Sequence, residues 1–139
     1  EWEYVHEEAC RWEHVMSERV ERKILAMIGD HRESPYGNPI PGLDELGEVA
    51  NEEFRVGVQS LAEIALPERA TVLVRRIGEP VQVDHEALTL LTAAGLLPGQ
   101  RVEVRRQDGR VIAVREGGEE AAGVSLPDDV AQHVFAAVV

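Results

Sequence analysis

The sequence predicts an α+β fold with an N-terminal helical segment, a proline-rich linker and a C-terminal small, partly open β-barrel. Three observations predict this order: a helical apolar period up to Gly29, dense proline and glycine over residues 34–42, and short β-rich runs separated by turn residues after that stretch. We place the helical segment at residues 1–32, the linker at 33–54 and the barrel at 55–139.

The helical segment is predicted to contain two helices. Apolar residues recur at spacings of three and four over residues 3–16, which gives one helix with an apolar stripe. Ser17 can cap the start of a second helix, and Gly29 can end that helix in a left-handed conformation. The apolar residues of the two helices are Val5, Ala9, Trp12, Met16, Val20, Ile24, Met27 and Ile28.

The barrel is predicted from β-branched runs and turn signals. The pair Asp108-Gly109 is typical of a type I′ hairpin turn, because both residues tolerate positive φ angles. Asp84 can cap a helix that Gly95 closes, and Pro127 can begin a short helix near the end of the chain. The predicted strands are residues 71–77, 101–106, 110–115 and 134–139.

Composition and charge exclude several classes of function. No apolar run approaches the roughly 18 residues of a membrane span and no signal peptide opens the chain, so we expect a cytoplasmic protein. The net charge is −12, with 14 Lys and Arg against 26 Asp and Glu, so the chain itself should repel DNA. Cys10 is the single cysteine, which suits a reducing compartment. The first residue is not methionine and no capping residue precedes the first helix, so we expect a fragment.

Four potential metal ligands share one face of the first predicted helix. His6, Cys10, Glu13 and His14 stand at i, i+4, i+7 and i+8, and therefore fall within an arc of roughly 100°. Imidazole, thiolate and carboxylate together suit a first-row dication such as iron(II), manganese, cobalt, nickel or zinc. Because this helix is acidic throughout, chance clustering is the competing interpretation.

Enzyme signatures do not accompany these donors. The sequence contains no His-Glu-x-x-His, Cys-x-x-Cys, Gly-x-Ser-x-Gly, P-loop or Gly-x-Gly-x-x-Gly motif. Cys10 and His14 could be a nucleophile and its base, but no orienting group or oxyanion hole is identifiable beside them. The sequence therefore favours a binding protein over an enzyme, with a metalloenzyme fragment as the weakest alternative.

Two long motifs resemble one known family. Residues 5–17 (VHEEACRWEHVMS) and 34–43 (SPYGNPIPGL) closely resemble the diphtheria toxin repressor and iron-dependent regulator family. Residues 97–104 and 125–130 resemble, more loosely, the SH3-like C-terminal domain of that family, which is related to small domains of ferrous iron transport. The resemblance implies a homodimeric repressor activated by Fe(II), for which Mn(II), Co(II), Ni(II) or Zn(II) can substitute. Operator DNA would be bound by the family's N-terminal winged-helix domain, which matches no part of this sequence.

The resemblance also implies a primary, activating metal site on the first helix. Cys10, Glu13 and His14 match its ligands, and in the family a methionine of the winged-helix domain completes the site. Metal would thus tie the helix to that domain and select the orientation that fits the operator. The apolar stripe would face the dimer partner through Val5, Trp12 and Met16.

An ancillary site is implied beside the primary one. His6 matches one ligand, Glu79 and Gln82 match a pair from the SH3-like domain, and the family adds a histidine and a glutamate from further upstream. The proline between Glu79 and Gln82 predicts a loop that projects ligands, with an ordinary polar strand end as the alternative. Ser34 and Asn38 match positions that hold an anion near this site, although a turn-forming role explains both residues equally well.

The main competing function is a module without metal sensing. In that case an SH3-like domain of the ferrous-iron-transport type is fused to a helical hairpin and binds protein partners. His31, His85 and His133 match no ligand of the family, and we interpret them as surface or capping residues.

Overall fold

The structure is a computed structural model that describes residues 1–48, 53–64, 69–119 and 122–139. Two helices and a linker made of turns precede a six-stranded antiparallel sheet with three short helices. Residues 49–52, near the end of the predicted linker, lie outside the described residues, as do two short stretches of the predicted barrel. None of the helices in the described ranges is long and apolar enough to cross a membrane.

The first helix is shorter than predicted. A 3₁₀ turn, Trp2–Tyr4, continues directly into α1, Val5–Glu13, so the helix stops three residues before the predicted end. The amides of Val15 and Met16 both donate to the carbonyl of Trp12 at 3.1 Å, which tightens and closes the last turn. The following residue is then extended and leads into the second helix.

The second helix, α2, spans Glu18–Ile28 and begins and ends at the predicted residues. Ser17 is its N-cap without a side-chain hydrogen bond. Gly29 closes it with a φ of 70° and a ψ of −144°, which lies outside the predicted left-handed helical conformation. Neither α1 nor α2 contains a buried residue. Both helices therefore depend on contacts with other parts of the protein for their position.

The described strands form one antiparallel sheet. They are β1 Gln59–Ser60, β2 Ala70–Ile77, β3 Arg101–Gln107, β4 Arg110–Arg115, β5 Val124–Leu126 and β6 Val134–Val138. Their order in the sheet is β1-β6-β2-β3-β4-β5. Within the described residues the two edge strands, β1 and β5, do not pair with each other, so the sheet is open. Asp108 and Gly109 join β3 and β4 with φ angles of 51° and 80°, which confirms the predicted hairpin turn.

Three short helices cover the sheet. The Asp84 carboxylate accepts from the amide of Ala87 at 3.0 Å, and Gly95 is left-handed, so the longest of the three has both predicted caps. The helices are α3 Glu79–Gln82, α4 His85–Ala94 and α5 Asp128–Ala131.

The hydrophobic core lies between the sheet and α4. Alternate residues of the strands point inwards, as Val102 and Val104 do in β3. The largest fully buried side chains are Leu61, Val72, Val74, Ile77, Leu88, Leu91, Leu96, Val102, Val104, Val111, Leu126 and Val134. Since all of them belong to the C-terminal part, the barrel supplies the hydrophobic stabilisation of the chain.

Tyr36 and Gly37 of the linker lie close to the backbone of β2. The amide of Ile77 donates to the carbonyl of Tyr36 at 2.9 Å, and the Tyr36 side chain is only 3% exposed. Gly37 has a φ of 75°, and a Cβ at this position would lie 1.8 Å from the carbonyl oxygen of Arg75. Only glycine permits so close an approach of the two backbones.

Arginine side chains hold the linker on either side of this contact. Arg22 of α2 donates to the carbonyls of Leu46 at 2.6 Å and Glu45 at 3.2 Å. Arg76, which is 2% exposed, donates to the carbonyl of Glu53 at 3.2 Å and to that of Phe54. The linker is therefore fixed to α2 near its middle and to the barrel near its end.

We predict that Gly37→Ala destabilises the chain much more than Gly42→Ala. Both glycines have positive φ angles, 75° and 72°, but a Cβ at Gly42 meets nothing within 4 Å. Gly42→Ala, the control, should lower the free energy of unfolding by about 1 kcal/mol, because alanine is strained at a positive φ. Gly37→Ala should lower it by more than about 3 kcal/mol, because its Cβ also clashes with the Arg75 carbonyl. Urea unfolding measures both, and equal losses would contradict the close approach.

Candidate metal centre

The three predicted primary ligands lie at the C-terminal end of α1. Cys10 is partly buried, Glu13 is the last helical residue, and His14 follows as the C-cap. Glu13 Oε1 and His14 Nε2 are 3.3 Å apart, and the two side chains are 62% and 81% exposed. Two of the three side chains thus face solvent, where a ligand from elsewhere could reach them.

These three side chains are not gathered into one cluster. Within residues 1–48, 53–64, 69–119 and 122–139, no group of three or more His, Cys, Asp or Glu side chains is arranged to hold a metal ion. Imidazole, thiolate and carboxylate one turn apart still suit a first-row dication by their chemistry. Cys10, Glu13 and His14 therefore stay predicted ligands.

The structure does bring together two predicted ancillary ligands that are distant in sequence. His6 Nδ1 of α1 and Gln82 Oε1 of α3 lie 2.9 Å apart, and Gln82 is 5% exposed. Atoms this close can both reach one ion, because zinc, for example, has bonds of roughly 2.0–2.2 Å to nitrogen and oxygen. The pair fits a metal site formed between the helical segment and the barrel.

The orientation of the Gln82 amide determines the proton on His6. Gln82 Nε2 donates to the carbonyl of Ile77 at 2.7 Å, so the amide oxygen must be the atom that faces His6. An oxygen accepts, and the hydrogen-bond network therefore places the imidazole proton on Nδ1 in the metal-free chain.

Glu79 lies one turn before Gln82, in a conformation that the sequence did not predict. Residues 79–82 form the helical turn α3 with Pro80 near its start, and they are neither the predicted loop nor a strand end. Proline is favoured in the first turn of a helix, because the amides of that turn have no acceptor within the helix and the lack of an N–H group costs nothing there. The Glu79 side chain is exposed, so its role as a ligand stays a prediction.

Ser34 and Asn38 shape the turn of the linker around Tyr36. The Ser34 hydroxyl accepts from the amides of Tyr36 and Asn38, each at 3.3 Å. The amide of Ser34 also donates to the Asn38 carbonyl at 2.8 Å. These contacts fit the turn-forming alternative, and the predicted anion site stays a prediction.

An apolar surface of α1 faces solvent. Trp12 is 59% exposed and Met16 is partly exposed, whereas the partly buried Val5 also packs against the hydrophobic core of the barrel. With Tyr4 and Ala9 they line a shallow concavity of about 540 Å³. An exposed apolar patch of this kind is typical of a protein interface.

Tyr36 is the residue of this region that sequence reasoning missed. Its hydroxyl donates to the carbonyl of Trp2 at 2.9 Å and accepts from the amide of His6 at 3.1 Å. Burial raises its pKa above the ordinary value, the His6 amide opposes that rise, and the carboxylate of Glu3 adds to it. Its phenol therefore stays neutral and can donate. An aromatic residue within a proline and glycine stretch was the available signal.

His85, interpreted as a surface or capping residue, also contacts the helical segment. Its ring stacks edge-on against Tyr4 with 4.5 Å between centroids, and its Nε2 lies 3.7 Å from a carboxylate oxygen of Glu7. We call this contact region the seam. It consists of Trp2, Tyr4, His6 and Glu7 of the helical segment, Tyr36 of the linker, and Gln82 and His85 of the barrel.

Two family models match the chain. Residues 1–42 match "Iron dependent repressor, metal binding and dimerisation domain", and residues 56–136 match the SH3 domain of the diphtheria toxin repressor. The curated relatives include the diphtheria toxin repressor of Corynebacterium glutamicum, 41% identical over 130 residues. They also include the iron-dependent repressor IdeR of Mycobacterium tuberculosis, 42% identical over 135 residues. The matches cover 94% and 96% of this chain but 55% and 57% of these relatives, so the chain spans about half their length.

Solved structures agree with these matches. A manganese-dependent transcriptional repressor in complex with manganese has a TM-score of 0.76 and 25% sequence identity. The match covers 100% of this chain and 61% of the solved chain. The IdeR of T. acidophilum has a TM-score of 0.74 and 26% sequence identity, and the match covers 100% of this chain and 58% of the solved chain. The family consists of transcriptional repressors and not of enzymes. From its two family models, its relatives and its fold, the chain belongs to the diphtheria toxin repressor family of iron-dependent repressors.

Proposed function

We propose that this chain is the metal-sensing and dimerisation portion of an iron-dependent transcriptional repressor. The contact of His6 with Gln82 is the observation that carries the proposal. These residues are 76 positions apart, and their side-chain nitrogen and oxygen meet at 2.9 Å beside the buried Tyr36. An imidazole–amide hydrogen bond is also an ordinary structural contact. It supports the proposal because both atoms belong to predicted ligands, come from different parts of the chain and lie close enough for one ion to contact both.

The primary site of this proposal is Cys10, Glu13 and His14. The exposed side chains of Glu13 and His14 leave room for a further ligand from the rest of the parent protein. Fe(II) is the proposed physiological ion, and Mn(II), Co(II), Ni(II) or Zn(II) can replace it, because this donor set suits all of these dications.

The bound ion supplies positive charge that several ligands share. On this chain, α1 presents the ligands, while the seam holds α1 against the barrel. Ligands from two domains bind the ion more tightly in one relative orientation of those domains than in others, and this difference selects the orientation that fits the operator. With a net charge of −12 the chain contributes no DNA contact of its own, so another domain of the parent protein binds the operator in the cytoplasm.

The apolar surface of α1 is the proposed dimer contact. Trp12 is the largest exposed apolar side chain on this surface, and Val5 and Met16 flank it. In water, burial against the same surface of a second copy stabilises an exposed apolar surface of this kind. The chain in this proposal binds metal and itself, and catalyses no reaction.

We predict that Cys10→Ser and Glu13→Gln each weaken Co(II) binding. The loss should be at least about 10-fold, since removing a direct ligand costs no less than removing an outer partner of one. Isothermal calorimetry under reducing conditions gives the affinity, and the absorption of a Co(II)–thiolate bond reports Cys10 separately.

The matched control for this experiment is Glu8→Gln. This carboxylate lies on the same helix, is about half exposed, and pairs with Arg11 rather than with a predicted ligand or a residue of the barrel. The Co(II) affinity of this variant should equal that of the unmodified chain. Unchanged Co(II) binding in the Cys10 and Glu13 variants would refute the primary site.

We predict that Trp12→Ala weakens self-association of the chain by about 10-fold or more, as loss of a central interface tryptophan does elsewhere. Val83→Ala is the control, because Val83 is 65% exposed on the barrel, away from α1. Sedimentation velocity over a range of concentrations measures both variants. A chain that stays monomeric throughout, or a Trp12→Ala variant that associates normally, would be incompatible with this contact.

A further inference from the structure

The hydroxyl of Tyr36 lies within the backbone hydrogen bonds of the first helical turn. In a regular α-helix the amide of His6 would donate to the carbonyl of Trp2, four residues earlier. Here that amide donates to the Tyr36 hydroxyl at 3.1 Å, and the hydroxyl donates to the Trp2 carbonyl at 2.9 Å. The 3₁₀ turn changes into α1 at this place. A linker side chain thus stands between two groups that would otherwise bond to each other.

The same residues form a closed ring of hydrogen bonds. From the amide of His6 the ring passes to the Tyr36 hydroxyl, and the Tyr36 carbonyl accepts from the amide of Ile77. The Ile77 carbonyl accepts from Gln82 Nε2, and Gln82 Oε1 meets His6 Nδ1. The ring starts at the backbone of His6 and returns to its side chain. It joins α1, the linker, β2 and α3.

We propose that Tyr36 is the positioning residue for His6. Its hydroxyl sets the first turn of α1 and thereby places the imidazole beside Gln82. Without the hydroxyl, the His6 amide can close directly onto the Trp2 carbonyl, which already accepts from the Val5 amide. The linker then holds the turn only through the Trp2 side chain, which donates to the Pro35 carbonyl at 2.9 Å and packs against the ring of residue 36. This inference rests on the proposed function where it concerns metal, but the placement of the His6 ring can be measured without any metal.

The test is Tyr36→Phe, which removes the hydroxyl and keeps the buried ring. NMR of the histidine ring nitrogens in the metal-free chain should show His6 protonated on Nδ1 alone, whereas the variant should show both tautomers. Zinc affinity is measured in a Cys10→Ser, Glu13→Gln background, so that the probe reports on His6. There Tyr36→Phe should weaken Zn(II) binding by about 10-fold, the usual cost of losing an outer partner of a ligand.

Tyr4→Phe is the matched control. Tyr4 is the other tyrosine of the chain, it belongs to the same seam, and its hydroxyl makes no hydrogen bond within the described ranges. This variant should keep both the His6 tautomer and the zinc affinity. A Tyr36→Phe protein that melts earlier but keeps both properties would overturn the positioning role and leave Tyr36 a stabilising residue only.

Two further measurements keep the outcomes distinct. If His6→Ala leaves zinc affinity unchanged in the same background, the ancillary site is refuted, while the tautomer of His6 still decides the positioning role. If Tyr36→Phe does not fold, hydrogen exchange of the unmodified chain decides instead. The amides of His6 and Ile77 should then open together, and a His6 amide that exchanges independently of Ile77 would overturn the inference.

Discussion

The seating of Tyr36 between the helical segment and the barrel is the constraint on which the rest of the arrangement depends. Since α1 and α2 contain no buried residue, they have no core of their own to set their position. Tyr36, at 3% exposure, belongs to the core cluster of the barrel, yet its hydroxyl bonds to the backbone of the helical segment. Together with the His6–Gln82 and Tyr4–His85 contacts and the packing of Trp2 and Val5 against the core, this side chain transmits the order of the barrel to the helix that carries the predicted ligands.

Electrostatics alone would not hold that helix in place. The Arg11 pairs with Glu7 and Glu8 lie within α1 and are exposed, and such pairs contribute roughly 0–1 kcal/mol. The chain carries an excess of 12 negative charges, so bringing more carboxylates together is unfavourable until a cation joins them. Under the proposed function, a divalent ion bound at α1 would relieve this repulsion.

Periodicity and turn chemistry predicted the local structure well. The caps at Asp84 and Gly95 and the turn at Asp108 follow from backbone preferences that act over a few residues, and the structure has all three. The contact of Tyr36 with α1 spans 30 or more positions and has no local signature, so the sequence did not predict it. Residues 79–82 were predicted incorrectly because Pro80 suits the start of a helical turn as well as a loop.

Among the candidate ligands, the family resemblance named His6 and Gln82, and the fold brought them together. Cys10, Glu13 and His14 are not gathered into one cluster within the described residues, so they stay predicted ligands. The linker and the seam fix α1 to the barrel before any metal binds. Residual dipolar couplings of backbone amides in the metal-free chain test this arrangement most directly. One alignment tensor should fit both α1 and the sheet, whereas separate tensors of different magnitude would show that the helix moves independently and would contradict the account.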